Sequence, residues 1–153
     1  EFYAPNFAAD QADADLLTFG LKASYNHNER FLVYARMQYN KWMMNDSIVS
    51  PWHKPTWEFG MGAEAKIYKG LSANLDFTYN SPSTTRLGNN TLRTAEVGPM
   101  YDLNFGADYQ FPRHWSLFLE LNNLVAIGGI NYQPWYGYNT IGFNAMVGAK
   151  VRF

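Results

Sequence analysis

Cysteine is absent from these 153 residues, and only three histidines occur. Without cysteine there are no disulfide staples, no zinc–thiolate sites and no thiol nucleophiles, although the compartment stays open. Charged residues make up 16% of the chain, against a usual quarter. The formal net charge is −1 with no strongly basic patch, so nucleic acid is not an expected partner. No run of about 20 consecutive apolar residues occurs, which excludes a membrane-spanning helix. Glu1–Asp10 has neither the basic start nor the apolar stretch of a signal peptide.

Aromatic side chains are abundant: 18% of the chain, with 11 Tyr, 11 Phe and 5 Trp. With 47% hydrophobic residues, disorder is excluded, and the length suffices for one domain with a core. The mean hydropathy is nevertheless on the polar side. Period-two alternation accounts for both facts. It places apolar residues on one face of a strand and polar ones on the other.

Seven such runs are predicted. Leu17, Phe19, Leu21, Ala23 and Tyr25 alternate with Thr18, Gly20, Lys22 and Ser24. Phe31, Val33, Ala35, Met37 and Tyr39 form the second apolar set, and Trp57, Phe59, Met61, Ala63, Ala65 and Ile67 the third. Leu71, Ala73, Leu75, Phe77 and Tyr79 form the fourth; Tyr101, Leu103, Phe105, Ala107 and Tyr109 the fifth. Trp115, Leu117, Leu119 and Leu121 make the sixth, and the odd positions from Ile141 to Phe153 the seventh. None of the sets contains a charge. The runs are longer than the five or six residues of an ordinary strand and match the roughly 9–11 of a tilted membrane-crossing strand. Short connections (Asn26–Arg30, Lys69–Gly70, Pro112–His114) alternate with long ones (Met43–Pro55, Ser81–Gly98, Asn123–Asn139), as in outer-membrane barrels.

Alternation does not say which face is inside, because a lipocalin-like soluble barrel alternates as well, with its apolar face inward. Three features favour lipid outside. Charges such as Arg36, Glu64, Asp76 and Glu120 sit near strand middles on the polar face. Rings collect at strand ends: Tyr25, Phe31, Tyr109, Trp115 and Phe153 near the short turns, and Tyr39, Trp57, Tyr79 and Tyr101 near the long loops. Such girdles suit membrane interfaces. Finally, seven long strands carry more large apolar side chains than the interior of a small barrel holds. The expected fold is therefore all-β, an antiparallel transmembrane β-barrel, with residues 1–153 as one domain and 1–15 as an extracellular loop or partial strand.

The chain ends Gly148-Ala149-Lys150-Val151-Arg152-Phe153. The terminal Phe153, with Val151 and Ala149 at alternate positions before it, resembles the C-terminal signal read by the barrel assembly machinery. Phe118-Leu119-Glu120-Leu121-Asn122-Asn123-Leu124, then Tyr132, Trp135, Gly137-Tyr138 and Gly142, resemble the closing strands of TonB-dependent outer-membrane receptors of the Bacteroidetes type. In that family an Asn-Leu-Phe-Asn-like step ends the penultimate strand and a Tyr-Pro-x-x-Gly step begins the last. Here Val125-Ala126 replace the Phe-Asn part, and Asn139 stands where proline is common. The match covers roughly the last 40 residues; a terminal-Phe strand alone is shared by unrelated outer-membrane barrels.

The resemblance implies a location in the outer membrane of a Gram-negative bacterium and import of a nutrient ligand. The implied partners are membrane lipid, the assembly machinery, a plug domain, TonB and a surface lipoprotein. With Phe153 on the periplasmic side, counting back seven strands puts residue 16 on the outer face. Single-chain bacterial barrels have even strand numbers, so the expectation is the C-terminal part of a larger barrel. The alternatives are a stand-alone small barrel serving as anchor, adhesin or assembly subunit, and a soluble lipocalin-like binder.

No residue pattern points to catalysis, a metal or a cofactor. His27 and His114 fall in short turns and His53 in a long loop. The polar-face acids Glu58, Glu64, Asp76, Asp102, Asp108 and Glu120 are nearly balanced by Lys22, Arg36, Lys66, Lys150 and Arg152, which predicts internal ion pairing or contact with a plug. The triplets Asn45-Asp46-Ser47 and Asn89-Asn90-Thr91 fit a glycosylation acceptor, a pattern common by chance. The candidate ligand contacts are loop aromatics, Tyr132, Trp135, Tyr136, Tyr138 and Trp52, because exposed rings stack on sugars or flat ligands. The competing role for them is to extend the outer girdle.

Overall fold

The structure, a computed structural model, describes residues 13–45, 50–86, 94–112, 114–130 and 142–151. Its main element is a seven-stranded antiparallel sheet. The strands are β1 (Ala14–His27), β2 (Phe31–Met44), β3 (Trp57–Tyr68), β4 (Leu71–Asn80), β7 (Met100–Gln110), β8 (Trp115–Asn122) and β9 (Asn144–Val151), in that order across the sheet. A separate two-stranded sheet, β5 (Ser83–Arg86) with β6 (Thr94–Val97), lies between β4 and β7 in the chain. The protein is all-β, and each of the seven expected runs falls on a strand of the main sheet.

The register carries the sequence pattern across the whole sheet. Directly opposed residues in an antiparallel pair share a face. Tyr25 opposes Val33, Val33 opposes Ala63, Ala63 opposes Leu75, Leu75 opposes Phe105, Phe105 opposes Leu121, and Leu121 opposes Ala145. The described members of all seven apolar sets therefore lie on one face. The other face carries the row Ser24, Tyr34, Gly62, Asp76 and Asn104.

Three details depart from the sequence reading. The first hairpin is longer than expected, running to Ala14↔Met44. This places Asp15 and Lys41 on the apolar face, at the long-connection end. β1 thus begins inside the segment expected to be a loop or partial strand, while residues 1–12 lie outside the described residues. A bulge between Lys66 and Tyr68 then brings Tyr68 opposite Leu71, adding a ring to the apolar face beside Ile67. The segment 81–98, expected to be loop, contains the β5–β6 hairpin.

The turns show why the chain reverses where it does. His27 O accepts from Arg30 N at 3.0 Å, and Asn28 and Glu29 have φ of 50° and 55°, the paired left-handed geometry that matches strand twist in hairpins. Gly70 has φ +82°, and a Cβ there would meet the backbone of Gln110. After β8, Asn123 (φ 55°) leads into a 3-10 turn, Leu124–Gly128, ended by Gly129 (φ 78°). The Asn123 amide donates to Asn104 Oδ1 at 2.9 Å, which ties the turn to β7.

The burial pattern is the reverse of a soluble sheet. Val97, on the small hairpin, is the one buried hydrophobic among the described residues. In the main sheet the buried positions are Asn40, Gly60, Gly62 and Gly106, all on the polar face. On the apolar face Phe19 is 64% exposed, Leu21 57% and Val147 78%. No second layer of described residues covers that face.

Candidate functional site

The polar face is the candidate functional surface, and glycines shape it. The phenol of Tyr34 donates to Asp76 Oδ1, passing over Gly62, where any Cβ would collide with the ring. Arg36 lies across Gly60 in the same way. On β8, Phe118 faces Gly148, with ring atoms 2.5 Å from where a Cβ would stand. Lys150 Nζ sits 4.8 Å from that ring's centre. An aromatic ring over a strand glycine replaces the packing the glycine lacks, and the ammonium above the ring adds a cation–π contact.

Amides bind three acids of this face, Glu58, Asp76 and Asp102. Thr18 Oγ1 and Gln38 Nε2 both donate to Asn40 Oδ1 at 3.0 Å, and Asn40 Nδ2 donates to Glu58 Oε1 at 2.9 Å. Asn74 Nδ2 donates to Asp76 Oδ2 at 3.3 Å, and Asn104 Nδ2 to Asp102 Oδ2 at 3.0 Å. Asn122 and Asn144 join β8 to β9 at 3.1 Å. The expected ion pairing is not what holds Asp76, Glu58 and Asp102 among the described residues; neutral donors do, from another strand for Glu58 (Asn40), from the same strand for Asp102 (Asn104), and from both for Asp76 (Tyr34 and Asn74).

On the apolar face the aromatic rings stand in two bands. Tyr39 and Trp57 are 4.7 Å apart and Tyr79 and Tyr101 5.2 Å apart at the long-connection end. Tyr109 and Phe111 meet edge to face at 4.5 Å at the short-turn end. Tyr25, Phe31 and Trp115 complete the second band, and all three are exposed.

At the long-connection end the loop before β3 is fastened to the small hairpin. His53 N donates to Thr84 O at 2.9 Å. The ring Nε2 of His53 is 2.8 Å from Thr85 Oγ1. Thr85 is 4% exposed. Burial holds the His53 pKa below its ordinary value by penalising the charged ring. Lys54 Nζ lies 5.6 Å from the Trp42 ring centre. His53 has φ 55°, an uncommon conformation for a non-glycine residue, here fixed by bonds through both its backbone and its ring.

Of the candidate ligand contacts, Trp52 is half-buried in the turn beside His53. Tyr132, Trp135, Tyr136 and Tyr138 lie outside the described residues, as does Phe153. Val151 and Ala149 are on β9, exposed, opposite Trp115 and Leu117 on the apolar face. His27 and His114 stand at the short-turn ends of β1 and β8, away from His53. Among the described residues no three His, Asp or Glu side chains are grouped to hold a metal ion. The Tyr34–Asp76, Phe118–Gly148 and His53–Thr85 contacts escape a reading by spacing, since each joins residues at least thirty positions apart.

No protein-family model matches the chain, and no curated protein is detectably similar to it.

Proposed function

We propose that this sheet is wall of a transmembrane β-barrel in a bacterial outer membrane, with lipid against the apolar face and water or protein against the polar one. The observation that carries the reading is the inverted burial. Exposing some of the largest apolar side chains of seven strands to water would forfeit about 1.5–3 kcal/mol for each one. Water also rarely meets an apolar surface of this extent on a soluble monomer. Lipid removes that cost, and the polar face then carries the buried Asn40 and the hydrogen-bonded acids.

The geometry supports a spanning wall in two further ways. Phe31 lines up across the rows with Ala65, Ala73 and Ala107. The first hairpin turns at Phe31, whereas the last short turn closes at Phe111, whose amide donates to Trp115 O. The turns thus descend by about one residue per strand. At about 3.4 Å per residue and 4.8 Å per strand, that slope corresponds to a tilt of about 35°, within the range of closed barrels. Phe31 and Tyr39, like Tyr109 and Tyr101, mark bands eight residues apart along one strand. That is about 27 Å along the strand and about 22 Å along the tilted normal, close to the roughly 25 Å apolar band of outer-membrane barrels.

Closure needs more strands than these seven. β1 and β9 are the sheet edges and run in the same direction. An all-antiparallel barrel therefore requires an odd number of additional strands between them, and lipid tolerates no open edge. The C-terminal resemblance makes the wall part of a TonB-dependent receptor importing a nutrient ligand, with catalysis playing no role. In that reading this segment supplies wall, outer loops and the Phe153 assembly signal.

The test is photolabelling in lipid vesicles with a lipid-soluble carbene reagent. Labelling is expected at Phe19, Leu21, Phe105 and Val147 and not at Glu64 or Asp76. The opposite pattern, or a chain that stays dispersed in water without detergent, refutes the wall. A plug domain encoded upstream of Glu1 would support the receptor reading, and its absence in the complete gene would defeat that part alone.

A further inference from the structure

Three acids of the polar face are bonded, and two cations near them are not. Asp76, Glu58 and Asp102 each accept from a neighbouring side chain. Lys22 and Arg36 are opposed directly on β1 and β2. Both are exposed, and neither makes a hydrogen bond or ion pair with any described residue. Opposed residues of one antiparallel pair have Cβ atoms about 4.5–5.5 Å apart, where like charges repel. A sequence can retain such a pair at a position where something else supplies the counter-charge.

The surroundings leave room for it. A Cβ at Gly60 would lie 2.6 Å from Arg36 Nε and 3.1 Å from its Cγ, so the glycine lets the arginine lie flat along the sheet. Beside Lys22, a Cβ at Gly20 would meet nothing nearer than 3.9 Å. Along their strands both cations lie midway between the two aromatic bands. Glu58, the acid diagonal to Arg36, is engaged by Asn40, and Tyr34 holds Asp76.

We propose that Lys22 and Arg36 form a binding site for an oxyanion, the carboxylate or phosphate group of a small solute in the hollow of the barrel. The guanidinium offers a fork for two oxygens and the ammonium a point charge. Charged side chains at mid-membrane depth that face a barrel interior mark a solute path or a partner group. The site rests on the wall reading above, because only that reading turns the polar face toward an enclosed aqueous space.

The experiment takes the full chain in lipid vesicles and measures acylation of Lys22 by a water-soluble N-hydroxysuccinimide ester, read by peptide mass spectrometry. Inorganic phosphate or citrate is expected to slow Lys22 several-fold relative to chloride at equal ionic strength, with Lys41 and Lys69 unchanged. Protection by citrate alone assigns a carboxylate ligand, and protection by phosphate alone a phosphate. Arg36→Gln is expected to abolish the protection and Arg36→Lys to keep part of it. Equal rates in all three salts, or protection that survives Arg36→Gln, overturns the site and leaves the wall standing. A Lys22 that the water-soluble ester never reaches, while lipid-soluble reagent labels the polar face, refutes both.

Discussion

The phenol of Tyr34 on β2 reaches across Gly62 on β3 to bond Asp76 on β4. One side chain thus ties three strands together on the polar face, and a glycine in the middle strand makes the reach possible. Gly62→Val removes that path. The expected loss of stability is about 2–4 kcal/mol, from overpacking together with a lost bond to a charged acceptor. Tyr34→Phe keeps the ring and loses the bond, at about 1.5–3 kcal/mol. Urea unfolding in lipid vesicles measures both, and a Tyr34→Phe variant as stable as the parent chain would show that the bond contributes nothing.

Leu21→Arg and Val147→Arg each place a charge on the apolar face. If lipid covers that face, each is expected to destabilise the folded chain by up to about 2–4 kcal/mol, the cost being largest at mid-bilayer depth. Thr78→Arg, on the polar face opposite Gly60 and Asp102, is expected to stay within about 1 kcal/mol of the parent. Equal, small effects at all three positions in vesicle unfolding would mean that water wets both faces.

Phe118 covers Gly148 at the sheet edge formed by β9. Phe118→Ala uncovers a strand glycine and removes the ring beneath Lys150. Faster amide exchange is expected along β9, Asn144–Val151, with β2 and β3 unchanged. Unchanged exchange in β9 would show that backbone pairing alone holds the edge.

The fastening of His53 to the small hairpin depends on pH in a defined direction. Burial lowers its pKa, so the folded contact favours the neutral ring. The stability it contributes is complete above the ordinary imidazole value of about 6.5 and is lost as the pH falls through the lowered folded value. Lys54, Arg86 and Glu96 are the charged residues on the segments that meet at the ring. Exchange of the His53 amide, which is bonded to Thr84 O, is expected to gain protection between acid and neutral pH. After correction for intrinsic rates, His53→Gln should abolish that change; a profile that survives the substitution assigns the titration elsewhere.

The faces of the main sheet were legible because alternation is a local property. Phe59, Met61 and Ala63 state their side of β3 wherever the strand pairs, and one register then aligns all seven strands. Strand ends were less legible. Asp15 and Lys41 extend the first hairpin because its backbone pairing continues past the last apolar pair, which hydrophobicity does not signal. β5 and β6 were missed for a related reason: Ser83-Thr84-Thr85-Arg86 shows no apolar alternation, and the hairpin is held by pairing and by His53. The polar-face contacts were hidden because they depend on register. Tyr34 meets Asp76 only once β2, β3 and β4 are aligned, and the unbonded state of Lys22 and Arg36 emerges at the same step.

Each strand of the main sheet pairs with the next main-sheet strand along the chain; among the described residues the β5–β6 hairpin and the 3-10 turn Leu124–Gly128 intervene. The sheet can therefore be laid down as a succession of neighbouring folds, with little loop entropy spent before each new ladder forms. If lipid covers the apolar face, a chain so ordered can grow across a bilayer one hairpin at a time, the newest strand offering the backbone on which the next is templated.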